Sequence, residues 1–449
     1  MTSRQLREHS VLKWFYPGMH IKRWLVLLLF GICLMGLGIA YVLKEAYLQT
    51  DLPGIFYYLT LQFIPRWGRG LLFVFLSLTT VGIATWKLNE SLLYAFVRPD
   101  QRDGNMAQAI YNKRFLSRGP KIVAIGGGTG LSTLLRGLKG YTSNLTAIVT
   151  VADDGGSTGR LRQEFGVVAP GDLRQCIAAL AEAEPLMSKL FQYRFTEGTG
   201  LEGHSFGNLF LVAMSEVTGN FETAIHEASR VLNVRGSILP STLEDVTLSA
   251  RTQEDEMVHG EHNITEHGAA IRELFLNPAS AEAHPDAVRA IMDADLIVIG
   301  PGSLYTSVLP NLLVSGIQKA LIATEARRIF VCNVATQQGE TDGFTVADHL
   351  EALERHAGQG VIHAVIANNN IAPSLPEEWH SAAVPVSREG MAAFGHVQLV
   401  LADVVADENR YRHDPEKLAA MVMRMYDHRD SLANLSTHHV SGEPLLVSR

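Results

Sequence analysis

A short apolar run, a glycine turn and a leucine-spaced helix follow one another after Pro120, and variants of that unit recur through the rest of the chain. KIVAIG is β-branched and apolar, GGTG is a tight turn, and LSTLLRGLKGY places leucines at helical spacing. LTAIVTVAD gives the next strand. A helix through DAVRAIMDA then leads to the strand DLIVIG, the loop PGS, the helix GIQKALIATEA and the strand RRIFVCNVA. Strands that are apolar throughout cannot leave either face in water, so the pattern predicts an α/β fold with a parallel sheet and helices on both faces. VIHAVIAN and VQLVLADVVA read as later strands and DPEKLAAMVMRMYD as a closing helix, with Asp414 as N-cap and Pro415 in the first turn. Between these units, Leu173 to Val234 reads as a helical insertion. The stretch from Val246 to about Thr265 (VTLSAR, EMVHGEHNIT) reads as short peripheral strands.

The N-terminal quarter has a different character. From Trp24 to Leu43 there is no charge, a length sufficient to cross a ~30 Å hydrocarbon layer. The run exceeds the ~7–15 residues of a signal-peptide core, and no small-x-small site closes it. A second run, Gly70 to Trp86, lies between Arg69 and Lys87. Basic residues gather before the first run (Arg4, Arg7, Lys13, Lys22, Arg23) and after the second (Lys87, Arg98, Arg102, Lys113, Arg114), with few between, which places both ends in the cytoplasm. The expected organisation is a cytoplasmic segment 1–23, a transmembrane helix 24–43, an extracytoplasmic or interfacial loop 44–69 and a second transmembrane helix 70–86. A juxtamembrane linker 87–119 and a domain 120–449 follow. The chain is thus expected as a multi-pass protein of the cell membrane with its large domain in the cytoplasm.

Composition narrows the function classes. With 449 residues and a formal charge of −8, the chain has no overall basic field to hold nucleic acid, which is not an expected partner. Cys33, Cys176 and Cys332 are far apart in sequence, so neither a disulfide framework nor a zinc site is suggested.

The candidate chemistry sits in the loops. Gly126, Gly127, Gly128, Thr129 and Gly130 join a strand to a helix, where glycines let backbone N–H groups approach a phosphate. The third glycine of a dinucleotide fingerprint is replaced by Leu131, and no Walker A Lys follows. Asp153 and Asp154 end the next strand and precede Ser157, Thr158 and Arg160. They could hold a ribose, a base edge or a hydrated cation such as Mg²⁺, and the sequence does not choose among these. Asp172 reads as a helix N-cap and Arg174 as a phosphate contact. His204, Ser205 and Asn208, at another helix start, offer groups for a pyrophosphate or sugar hydroxyls. Gly300, Gly302 and Ser303 form a second candidate phosphate cradle, with Tyr305 placed to stack on a base or sugar. Asn333 and Gln337 carry amides that can read hydroxyls or a uracil edge. There is no G-x-S-x-G elbow and no HExxH helix, and His259, His262 and His267 lie in a polar run that does not suggest a metal site. No catalytic residue is assigned; for an enzyme, Asp153 and Asp154 would be the candidates.

Taken together, GGGTGLSTLLRGL, DDGGSTGRLR, PGDLRQC, GHSFGNL, ILPST, ADLIVIGPGSLYTSVLPNLL, VCNVATQQGETDGF and RHDPEKL make the chain from Lys121 to about Leu418 resemble the YvcK-like, or gluconeogenesis factor, family. That family lies within the wider CofD group, which includes 2-phospho-L-lactate transferase. The transferase branch carries a Gly-Gly-Val-Gly-Gly-Ala-Lys opening and a Pro-Ser-Asn-Pro loop, and neither is present here. The resemblance implies a Rossmann-like domain, often a homodimer. It further implies binding of a UDP-sugar (UDP-N-acetylglucosamine or UDP-glucose) and a role in cell shape, cell-wall synthesis and gluconeogenic growth, with cell-wall synthesis proteins as partners. On that resemblance the two glycine loops surround the nucleotide phosphates, Asp153 and Asp154 face the ligand, and Arg412 contacts a phosphate or sugar. The resulting expectation is a binding protein without catalysis. The alternative is a 2-phospho-L-lactate transferase-like enzyme that moves a phosphoryl-linked group from a nucleotide donor with Mg²⁺. The resemblance is not expected to extend over the N-terminal hairpin.

Overall fold

The computed structural model describes residues 115–428 apart from 183–184, 372–380, 388–393 and 396, together with 445–446 and parts of 30–83. The chain divides into two compact units, Met1–Arg114 and Phe115–Arg449. The division falls a few residues ahead of the expected domain start.

In the second unit the strands are β1 (Ile122–Gly126), β2 (Leu145–Val149), β3 (Ser237–Pro240), β4 (Thr247–Thr252), β5 (Met257–His259), β6 (Ile271–Asn277), β7 (Leu296–Ile299), β8 (Arg327–Val331), β9 (Ala364–Asn368), β10 (Gln398–Ala402) and β11 (Leu445–Leu446). Eight of them form one sheet in the order β11-β10-β9-β8-β7-β1-β2-β3, and every pairing within it is parallel. β5, β4 and β6 make a separate antiparallel sheet. Every residue of β1, β7 and β9 is buried, as strands covered on both faces require.

The order of the strands has a consequence for function. From β1 the chain moves outward through β2 to β3; from β7 it moves outward in the opposite direction through β8 to β11. β1 and β7 are therefore neighbours whose onward connections diverge, and a crevice opens at their carboxyl ends. The register keeps those ends level, since Ile122 pairs with both Leu145 and Leu296.

Local signals explain most of the helices. Gly128–Leu138 buries Leu131, Leu134, Leu135 and Leu138, the i, i+3, i+4, i+7 stripe that faces the sheet. Each such leucine contributes roughly 1.5–3 kcal/mol of burial. Ser205 caps Phe206–Thr218, and Thr345 and Asp348 form a capping box on Val346–Ala357. Asp414 accepts from the N–H groups of Glu416 and Lys417, as its N-cap assignment requires.

Two local expectations are corrected. EHNITEH was expected in a strand but forms the helix Glu261–His267. Gly260 turns the chain at φ 92°, and the Asp154 carboxylate accepts the N–H groups of Glu261 and His262, an end-cap supplied from more than a hundred residues away. Asp172 is not an N-cap: the helix Pro170–Leu180 starts from Ala169, and Asp172 lies inside its first turn.

Much of the two expected membrane spans, 24–43 and 70–86, lies outside the described residues. No helix among the described residues is long and apolar enough to cross a membrane. The described pieces 70–77 and 79–83 are helical, and Leu71, Phe73, Val74, Phe75 and Leu76 are exposed there.

Candidate functional site at the β1/β7 crevice

A cleft of about 270 Å³ occupies the crevice between β1 and β7. It is lined by Gly127–Gly130 and Thr133 on one side, by Pro301–Ser303 and Ser307 on the other, and by Asn333–Ala335, Gln337 and Tyr411–His413. A larger hollow of about 740 Å³ lies along β3, between Glu222, His226, Arg230 and Asp286. It contains none of the glycine loops, and it is at the edge of the sheet rather than at the divergence of its connections. Position and chemistry favour the smaller cleft.

The cradle depends on the absence of side chains. A Cβ at Gly130 would come within 2.5 Å of the Pro301 carbonyl oxygen and 2.8 Å of the Gly302 Cα, so this glycine is what allows the two phosphate-binding loops to touch. A Cβ at Gly127 would run into the Asp172 carboxylate. The helix that begins at Gly128 has no side-chain cap from Gly127, which leaves the positive end of its dipole at the cleft.

The facing loop is held from beneath. Asn333 accepts from the Gly302 N–H at 3.1 Å and donates to the Gly302 carbonyl at 2.9 Å, so its amide is committed to the cradle it lines. Ser303 donates to Gln337 at 2.6 Å, and Gln337 donates to Glu340 at 2.7 Å. Glu340 is buried and also accepts from Thr306; burial pushes its carboxyl up to about 7.

Tyr305 was expected to stack on the ligand, and the structure places it elsewhere. It is 1% exposed, meets Phe344 and His356 edge to face, and donates its hydroxyl to the Ile271 carbonyl. Five residues in a π-helical turn, Leu304–Val308, rotate it into the core.

A second cluster surrounds the end of β2. Asp153 accepts from the Gly155 N–H at 2.9 Å, and a Cβ on Gly171 would lie 2.7 Å from its carboxylate. Burial is the main force raising the pKa of Asp153. Asp172, on the next helix, accepts from Gly128; burial first and the Asp153 charge second push it up to about 7. Glu261 is raised to about 8 by burial and then by Asp153, Glu340, Asp154 and Asp172. Asp154 does not face the ligand as expected, because both of its oxygens cap Glu261–His267. The expected Asp153/Asp154 pair is thus replaced by Asp153 with Asp172. Two carboxylates beside a phosphate cradle suit a Mg²⁺ ion that completes its shell with substrate phosphate and water. Among the described residues no three His, Cys, Asp or Glu side chains are grouped to hold a metal by themselves.

Ser157, His204, Asn208 and Arg174 form one network. Ser157 and His204 Nδ1 are 3.0 Å apart, Asn208 donates to Ser157 at 3.2 Å, and Arg174 donates to Asn208 at 2.9 Å. Ser157, Thr158, His204, Ser205 and Asn208 are buried, and none of them lines the cleft. Arg160 donates to the Glu202 carbonyl. These residues join the β2 loop to the helical insertion. Thr133, Ser307, Tyr411 and His413 line the cleft without having been singled out from sequence.

Residues 122–405 match the family described as 2-phospho-L-lactate transferase CofD. The chain belongs to the CofD family. Within it, the gluconeogenesis factor of Bacillus subtilis is 47% identical over 309 residues, covering 68% of this chain and 97% of the relative. A relative from Nostoc sp., provisionally named as a gluconeogenesis factor, is 44% identical over 438 residues, 94% of this chain and 95% of its own. That coverage is too great to omit the N-terminal segment, so the expectation that the resemblance stops short of it is corrected. A crystal structure from Bacillus halodurans, described as a member of the UPF0052 family, superposes with TM-score 0.65 at 43% identity, over 68% of this chain and 99% of that one.

Proposed function

We propose that this CofD-family chain is a UDP-sugar-binding regulator of cell shape, cell-wall synthesis and gluconeogenic growth. The observation that carries the reading is the uncapped helix at Gly128 facing the Gly302 loop across the β1/β7 crevice, an anion cradle with no nucleophile and base paired along its lining. Its volume of about 270 Å³ suits the phosphates, with the nucleoside and sugar extending along the open sides. Arg412, on the lining, supplies a cation for a phosphate or sugar oxygen. The names of the relatives support the gluconeogenic role.

Anchoring by 24–43 and 70–86, with the large domain in the cytoplasm, belongs to the same proposal. Apolar side chains are exposed along 71–76, and Thr79 and Thr80 donate their hydroxyls back to the carbonyls of Phe75 and Leu76. Both features suit a helix whose surroundings offer no water. A homodimer, and cell-wall synthesis proteins as partners at that membrane, complete it.

The second reading is a transferase that moves a phosphoryl-linked group from a nucleotide donor. The family's description and the closeness of Asp153 to Asp172 favour it. In that case Mg²⁺ held between these carboxylates and the donor phosphates would offset the charge of the migrating group.

Calorimetric titration of the chain with UDP-N-acetylglucosamine, UDP-glucose and GDP, with and without Mg²⁺, followed by product analysis, separates the two. Uridine-selective saturation with intact ligand is expected. Consumption of the nucleotide, or preference for guanosine, would replace the regulator with the transferase.

A further inference from the structure

We propose that Arg136 and Arg412 form a second anion subsite beside the cradle, which takes a carboxylate carried on the sugar of the bound nucleotide sugar. The inference rests on the UDP-sugar reading and adds the charge of the sugar to it.

The pair is built by one glycine. Gly137 follows Arg136 in the helix Gly128–Leu138, and a Cβ there would collide with the Pro415 carbonyl oxygen and lie 2.7 Å from the Ala419 Cβ. The bare Gly137 backbone therefore lets the closing helix, Pro415–Asp427, begin against the first helix. Arg412, three residues before Pro415, is delivered to the neighbourhood of Arg136 by that contact.

The immediate surroundings of both guanidinium groups favour an anion. Arg136 donates to Thr133 at 3.0 Å, and Thr133 lines the cleft together with Arg412. Arg136 is partly desolvated, and the positive charge of Arg412 lowers its pKa further. Among the described residues neither arginine forms an ion pair with a carboxylate. Two like charges held together without an acid between them repel one another, and an anion placed between them removes that cost.

Geometry separates this subsite from the diphosphate. Arg136 lies eight residues beyond Gly128, roughly 12 Å along the helix axis at 1.5 Å per residue. A diphosphate seated on the helix start does not reach that far, whereas the sugar attached to it does. Planar, bidentate pairing with guanidinium groups is the chemistry of a carboxylate.

The test compares UDP-glucuronate with UDP-glucose, which differ by the carboxylate on the sugar, in calorimetric titrations of the full chain and of Arg136→Ala and Arg136→Lys. The readout is the affinity ratio within each protein, which a general loss of binding leaves unchanged. The wild-type ratio is expected to favour the glucuronate by roughly tenfold. It should fall towards unity in Arg136→Ala and lie between in Arg136→Lys, which keeps the charge and loses the fork. A wild-type ratio of one, or the same ratio in Arg136→Ala, overturns the proposal. If neither UDP-sugar binds, the UDP-sugar reading fails and inorganic pyrophosphate becomes the probe. Weaker pyrophosphate binding in Arg136→Ala would then retain the arginine pair as an anion site, and equal binding would remove it.

Discussion

Two glycine runs of nearly the same sequence start helices at the ends of adjacent strands, yet they do different things. Gly127-Gly128-Thr129-Gly130 follows β1 and lines the cleft; Gly155-Gly156-Ser157-Thr158-Gly159 follows β2 and does not. In each run the last glycine permits a close backbone approach. At Gly130 the approaching backbone is Pro301 and Gly302, from the other half of the sheet. At Gly159 it is the carbonyl of Asp154, from its own loop. The difference lies in the neighbours: β1 sits beside β7, where the connections diverge, whereas β2 lies between β1 and β3 on one side of that divergence. A glycine turn before a helix offers N–H groups, and the sheet order decides whether a ligand can reach them.

The contrast predicts unequal effects of equal substitutions. Gly130→Ala should separate the two loops and weaken UDP-N-acetylglucosamine binding by roughly a hundredfold. Gly159→Ala should lower the melting temperature by several degrees and leave the affinity within about twofold. Matched titrations and melting curves read both, and the comparison breaks if Gly159→Ala is the variant that loses the ligand.

Arg412→Ala should cost about tenfold in the same titration, as the loss of one charge-assisted contact does. Unchanged affinity would remove Arg412 from the site.

The acids around the second run give a pH signature. Glu261 ordinarily titrates near 4.5 and is raised to about 8, so between those values the folded chain keeps a proton that the unfolded chain releases. Its contribution to stability is therefore fully present below 4.5 and falls as pH rises towards 8. Relative to wild type, Glu261→Gln should gain stability progressively across that window. Denaturant midpoints at several pH values check this, and parallel curves for the two proteins would show that Glu261 is not held protonated. Asp172, raised to about 7, acts in the same direction.

The smallest effect is expected at Tyr305. Tyr305→Phe removes the hydrogen bond to the Ile271 carbonyl, worth about 1 kcal/mol, and should leave ligand affinity as it was. A large loss of affinity would return this side chain to the ligand.

The legible part of the fold was the part written in consecutive residues. KIVAIG, DLIVIG and RRIFVCNVA show a buried strand by composition alone, and the glycine turns after them mark where phosphates can approach. Strand order was not legible, because adjacency of β1 and β7 is a pairing across more than 170 residues. The same distance effect hid the work of Asp154, whose partners Glu261 and His262 sit in a segment that looks strand-like by itself. Tyr305 was misread because a π-helical turn changes which side of the segment faces inward. Arg136 gave no signal as a polar residue on an amphipathic helix; its meaning depends on Gly137 meeting Pro415.

Hydrogen exchange of the full chain with and without UDP-N-acetylglucosamine tests the central claim most directly, since it reads both glycine runs at once. The account predicts slowed exchange at 127–133 and 302–307, with 155–162 unaltered. Protection at 155–162 without protection at 127–133 would contradict the assignment of the site to the β1/β7 crevice.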